Sequence, residues 1–132
     1  MGQPIKLLVI DDEEGIVDYM QKLFNRRGYQ TYGVLKGEDA IELFAKERPE
    51  ITLIDVLLDQ SPVDGLEVLQ KIKEIDQGAI CIMFSRVTDK DKVEKARSLG
   101  ALHYVMKPLD VKELEEVVQE ARGLAEARKA NG

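Results

Sequence analysis

In 132 residues the sequence has one cysteine, one histidine, no tryptophan and only 5% aromatic residues. Cys81 therefore has no internal disulfide partner, and between Ile80 and Ile82 it reads as a small buried hydrophobe. The single histidine, His103, lacks the surrounding kinase or phosphotransfer helix that a phosphocarrier needs, so a structural place on a strand is expected. The longest uninterrupted apolar run, Ala79 to Phe84, falls far short of a bilayer span. Nor does the N-terminus show the charged-then-apolar order of a signal peptide, and Lys6 stands where a myristoylation motif on Gly2 wants Ser or Thr. A cytoplasmic, reducing location is the expectation, with no membrane partner. Positive charge is not in excess either. Nineteen Lys+Arg against 25 Asp+Glu give a net charge of −6, which argues against a dedicated nucleic-acid binder.

What is present suits one domain with one substantial core: 44% hydrophobic and 33% charged residues, with no internal linker. Dense apolar runs begin at Ile5, Tyr29, Ile51, Ala79 and Ala101. The gaps between them leave room for one helix and two turns. Those gaps carry helical stripes. Ile16, Val17, Met20, Leu23 and Phe24 form one before Gly28; Ala40, Ile41, Phe44 and Ala45 form another before Pro49. Leu66, Leu69 and Ile72 follow Gly65, and Val93, Ala96 and Leu99 precede Gly100. The last stripe, from Leu114 to Ala125, is expected to start after Asp110 as N-cap. Five β-α units in series predict an α/β, doubly wound five-stranded parallel sheet with right-handed crossovers.

In such a sheet the binding crevice lies beyond the carboxyl ends of the strands. Asp11 and Asp12 follow the first run, Asp55 ends the third, Ser85 the fourth, and Lys107 follows the fifth. Each alone reads as a helix cap, a turn residue or a solvated charge. Together they are harder to dismiss, because three carboxylates converging on one crevice repel one another unless a cation sits among them. Oxygen ligands with room for water suit Mg²⁺, and Lys107 and Ser85 would then face anionic oxygens. The arrangement reads as a phosphoryl-transfer site.

The chain resembles a response regulator receiver domain over nearly its whole length. The elements that carry the likeness are Leu7–Glu13, Asp55 in its TLIDV setting, Asp64-Gly65-Leu66-Glu67, the Ser85 turn, Gly100-Ala101 and Tyr104-Val105-Met106-Lys107-Pro108. The resemblance implies a flavodoxin-like (βα)5 fold of strand order 2-1-3-4-5. It implies that Asp55 accepts a phosphoryl group from a phosphohistidine of a sensor histidine kinase or phosphotransfer protein in a two-component phosphorelay. Asp12 would bind Mg²⁺ directly, Asp11 mainly through water, with Asp55 and the Leu57 backbone carbonyl completing the protein ligands. Ser85 would hydrogen-bond the phosphoryl group, Lys107 would pair with it, and the Lys107–Pro108 bond would be cis. Tyr104 would be the aromatic switch that alters the surface of the fourth helix, fifth strand and fifth helix, a surface also suited to a homodimer. By this likeness residues 1–126 form the receiver domain and 127–132 a C-terminal tail or the start of a linker. The domain is expected to be no enzyme beyond its own phosphorylation and slow self-dephosphorylation.

Three features depart from the family pattern. The segment from Asp55 to Gly65 is two residues longer than the commonest version and contains an extra acid, Asp59, within reach of a metal's outer shell or simply solvated. Arg86 stands where a small residue is normal; it could cap the site, pair with Asp59, add a second cation or point outward. Leu57 and Val87 cannot orient an attacking water, which predicts a long-lived acyl phosphate. Other functions stay open on the residues alone. A flavin or nucleotide binder would need a Gly- or Ser/Thr-rich phosphate cradle, where Asp11-Asp12-Glu13 stands, and no GxGxxG or GxxxxGK[ST] occurs. An aspartate-nucleophile phosphatase would want an acid at Leu57. A degenerate receiver acting as a phosphorylation-independent interaction module would rest on Arg86 and the long loop.

Overall fold

In a computed structural model, which describes residues 3–59, 61–86 and 89–131, the apolar runs form five parallel strands: β1 (Lys6–Ile10), β2 (Gln30–Val34), β3 (Ile51–Asp55), β4 (Ile80–Ser85) and β5 (His103–Met106). They lie in the order 2-1-3-4-5 with β2 at one edge. Register pairs Ile10 with both Val34 and Ile54, Asp55 with Phe84, and Ser85 with Met106. The five strand ends are thereby aligned along one edge of the sheet.

Five helices cover the two faces: α1 (Glu14–Arg26), α2 (Gly37–Glu47), α3 (Gly65–Ile75), α4 (Lys90–Ser98) and α5 (Val111–Asn131). Alternation along each strand sends Leu7, Val9, Leu53, Ile82, Phe84 and Val105 toward α1 and α5. Leu8, Ile10, Ile54, Cys81 and Met83 face α2, α3 and α4. Both faces being covered explains why the central strands are largely apolar rather than alternating, with Thr52 a buried exception in β3. Phe24, Phe44 and Phe84 are among the largest fully buried side chains; truncating one to Ala costs about 3–5 kcal/mol in such a core. The helices stop as their sequences predict. Gly28 and Gly100 adopt φ of 95° and 97°, a left-handed backbone that L side chains disfavour, and Asp110 caps α5 through Lys112 N–H at 2.9 Å. α5 continues to Asn131, where Arg128 and Lys129 reach Asp76 and Glu50. No described helix is long and apolar enough to cross a membrane.

Candidate functional site

Asp11, Asp12, Asp55, Ser85 and Lys107 each sit at or just past a strand end, where the ladder finishes, whereas Tyr104 lies within β5. Asp11 follows β1 with its backbone N–H still bonded to the Val34 carbonyl at 3.3 Å. Asp55 is the last residue of β3 and Ser85 the last of β4; all three are buried. Lys107 follows β5, its N–H donating to the Ser85 carbonyl at 2.9 Å, and the Lys107–Pro108 bond is cis. Gly65 is required here for close approach. It opens α3 against the backbone of Asp55 and Val56, so that a Cβ would run into the Asp55 carbonyl.

Asp11 and Asp55 are held in the same way. In each, one carboxylate oxygen accepts from the backbone N–H two residues on: Glu13 at 2.8 Å for Asp11, Leu57 at 3.2 Å for Asp55. The other oxygen accepts from Lys107 Nζ, at 2.9 Å for Asp11 and 3.1 Å for Asp55. The lysine side chain is only 4% exposed, and its ammonium lies 5.2 Å from the centre of the Phe84 ring. Asp12 joins the cluster from a half-buried position, and one ligand oxygen from each of Asp11, Asp12 and Asp55 lies within 4.8 Å of the others.

Burial governs the ionisation of this group. It pushes the Asp55 carboxyl up to about 6, with the Asp11 charge adding and Lys107 opposing. Asp11 is raised for the same first reason, against the Glu13 amide and Lys107. Burial pulls Lys107 down, but hydrogen bonds and charge from Asp11 and Asp55 more than reverse it, so the ammonium is held above its ordinary value. Three carboxylates against one lysine leave an excess of two negative charges, with Asp11, Asp55 and Lys107 shielded from water and Asp12 half-exposed at the rim. An all-oxygen donor set of that charge fits a hard dication such as Mg²⁺ better than a soft or nitrogen-seeking metal.

Ser85 and Tyr104 approach from the other face of the sheet. Burial raises the Tyr104 hydroxyl, and its hydrogen bond with Ser85 works against that rise. Arg86 extends outward: its side chain is 73% exposed and meets Glu13, not Asp59, at 3.6 Å. Asp59 is exposed and contributes its backbone rather than its carboxylate, its N–H donating to Asp12 Oδ2 at 3.0 Å. Leu57 is 38% exposed. Val87 lies outside the described residues. His103 is on β5, half-buried, with Nε2 3.0 Å from Glu120 on α5.

Two participants were not among the candidates. Glu13 sits between the cations, 3.8 Å from Lys107 and 3.6 Å from Arg86; its place directly after the aspartate pair was the available signal. Ser61 ties the long loop to α2, and nothing local in the sequence marks it.

Residues 7–119 match the family model of the response regulator receiver domain. The chain is 33% identical over 114 residues to sporulation initiation phosphotransferase F of Bacillus subtilis, covering 86% of this chain and 90% of that one. A CheY-like response regulator receiver domain protein from Methanospirillum hungatei shares the fold, with a TM-score of 0.87 at 22% identity over 98% of this chain and 99% of that one. NtrX from Brucella abortus, solved with ADP, gives a TM-score of 0.87 at 24% identity over 96% of this chain. The chain spans only 29% of that NtrX chain.

Proposed function

The chain belongs to the response regulator receiver family, and we propose that it works as a phosphorylation switch whose acceptor is Asp55. Its donor is a phosphohistidine on a sensor histidine kinase or phosphotransfer protein. The observation that carries this reading is Lys107 Nζ bridging Asp11 and Asp55 at 2.9 and 3.1 Å beside Asp12. A carboxylate so placed is ionised at neutral pH and still nucleophilic.

An Asp55 oxygen attacks phosphorus; the O–P bond forms as the P–N bond breaks, and its electron pair returns to the imidazole nitrogen. Asp12, Asp55, Asp11 and the Leu57 carbonyl would hold Mg²⁺, which when bound would supply positive charge against the phosphoryl oxygens. Lys107 exchanges a carboxylate oxygen for a phosphoryl oxygen, and Ser85 donates to another. Ser85 hydrogen-bonds Tyr104, and its recruitment to the phosphoryl group lets Tyr104 swing inward, which couples the site to the surface of α4, β5 and α5. That surface would then receive partners, a second copy of the chain among them. The domain acts once per phosphoryl group and is not a turnover enzyme. The Leu57 side chain has no polar atom to orient a hydrolytic water, so the acyl phosphate is expected to outlive that of Leu57→Asn when its decay is followed after removal of donor.

The test is incubation with a small acyl phosphate donor, read by intact mass with and without Mg²⁺. The expected result is one phosphoryl group per chain, dependent on Mg²⁺ and lost in Asp55→Asn. No incorporation in the wild-type chain, together with no beryllofluoride binding, would leave a phosphorylation-independent interaction module instead.

A further inference from the structure

The loop between β3 and α3 is longer than the family's commonest version, yet it is tied down at several points. Leu58, at its start, is buried in the core beneath α2 and α3. The Ser61 N–H donates to the Leu58 carbonyl at 3.0 Å, closing a turn around Asp59. The Ser61 hydroxyl then fastens the loop to the first turn of α2. It accepts from the Gly37 N–H at 3.0 Å and from the Val63 N–H at 3.2 Å. Its one proton is shared between Glu38 Oε2 at 2.7 Å and the Val63 carbonyl at 2.9 Å. Gly37 is needed for this approach, because a Cβ there would meet the Val63 carbonyl. The hydrogen bond from Ser61 also holds the Glu38 carboxyl below its ordinary range.

The result of this fastening is felt inside the site. The turn that Ser61 closes presents the Asp59 N–H to Asp12 Oδ2 at 3.0 Å. A carboxylate held through one oxygen keeps the other for a cation, and fixing its orientation lowers the entropy lost on coordination.

We propose that Ser61 is a positioning residue for Mg²⁺: by clasping the β3–α3 loop to α2 it holds the Asp59 amide against Asp12 and so sets the orientation of a metal-binding carboxylate. This rests on the reading of Asp12 as a metal ligand given above. On this account the added loop length is a second support for the metal site, reaching it from α2, an element that contributes no ligand.

The experiment is Mg²⁺ titration by calorimetry on the whole chain, paired with the amide proton shift of Asp59 in the metal-free protein. Ser61→Ala is expected to weaken Mg²⁺ about tenfold and to move the Asp59 amide upfield as its bond to Asp12 loosens. Ser61→Thr, which keeps the hydroxyl, should restore both. Glu38→Ala, on the partly exposed rim of α2, should move both readouts the same way by less, and it decides the matter if Ser61→Ala folds poorly. Wild-type affinity and an unmoved Asp59 amide in the Ser61→Ala and Glu38→Ala variants would overturn the inference alone. A wild-type chain that takes up no Mg²⁺ would overturn the metal-site reading and this inference with it.

Discussion

At the carboxyl edge of the sheet Lys107 and the carboxylates of Asp11 and Asp55 are at most 5% exposed, and one ammonium serves two anions. At the amino edge Lys6 meets Glu47, Arg128 meets Asp76 and Lys129 meets Glu50, with side chains 21–51% exposed. The difference is visible in ionisation. Asp11 and Asp55 are raised, burial being the first cause. Asp76 is lowered by its bond from Arg128, and Glu47 by those from Lys6 and Tyr32. Wet pairs are satisfied as they stand. The dry cluster carries an excess of negative charge, and is in that sense built for something that arrives later.

The largest test of this contrast is Lys107→Met, which keeps the aliphatic stem and removes the charge. Two buried carboxylates then lose their shared cation, and metal-free stability should fall by about 3–5 kcal/mol, as much as truncating a buried Phe. Urea unfolding measures it. Mg²⁺ should return part of the loss, because it replaces the missing positive charge. A loss under about 1 kcal/mol would mean that the dry edge behaves like the wet one.

Next in size is the pH dependence. Asp55 is raised from 3.8 to about 6, so it holds its proton more tightly in the folded chain. Its contribution to stability is therefore complete below about pH 4 and is lost as pH rises through 6, by up to about 3 kcal/mol. Asp11 has the same sign. Asp76 and Glu47 have the opposite one: their contributions are present above the ordinary carboxylate range and vanish as pH falls through their lowered values. Metal-free Asp55→Asn should accordingly be more stable than wild type at pH 7, with the gap closing by pH 4. A gap independent of pH would remove burial as the cause.

How much of this is legible in the sequence follows from the range of each interaction. Asp11, Asp55, Ser85 and Lys107 were legible because each ends or follows an apolar run, and parallel strands bring such ends to one edge. Strand starts were less so. Ile5, Tyr29 and Ala79 are buried like strand residues but precede the ladder by one position, since burial begins before backbone pairing does. Arg86 could be weighed only as a set of alternatives. Its direction depends on Glu13, whose side chain is shared with Lys107 across the chain, and no local pattern encodes that. The Ser61 bond to Gly37 and the Arg128 bond to Asp76 join residues 24 and 52 positions apart. Neither has a periodicity to betray it.

The amino edge offers the control. Arg128 makes two bonds to Asp76, at 2.7 and 3.0 Å, with its guanidinium lying over Gly78. Good geometry notwithstanding, half of its side chain is in water. Arg128→Ala should cost no more than about 1 kcal/mol, and less in high salt. A loss near that of Lys107→Met would show that pairing geometry, not burial, ranks the two edges.

Arg86 separates burial from position, because it belongs to the carboxyl edge and yet is exposed. It reaches Glu13 at 3.6 Å with side chains 73% and 48% exposed, so their attraction is screened and the pair holds little in place. If burial is what distinguishes the two edges, Arg86 should behave like Arg128 although it sits one residue from Ser85. Removing one cation from the mouth makes the approach of an anionic donor slightly less favourable. Arg86→Ala should therefore slow phosphorylation by a small acyl phosphate by no more than about threefold, the difference fading as ionic strength rises. A tenfold or salt-independent change would put the guanidinium on the transferred phosphoryl group itself. The exposed pair with Glu13 would then be the resting state of a second cation that turns inward, and position at the carboxyl edge would count for more than burial.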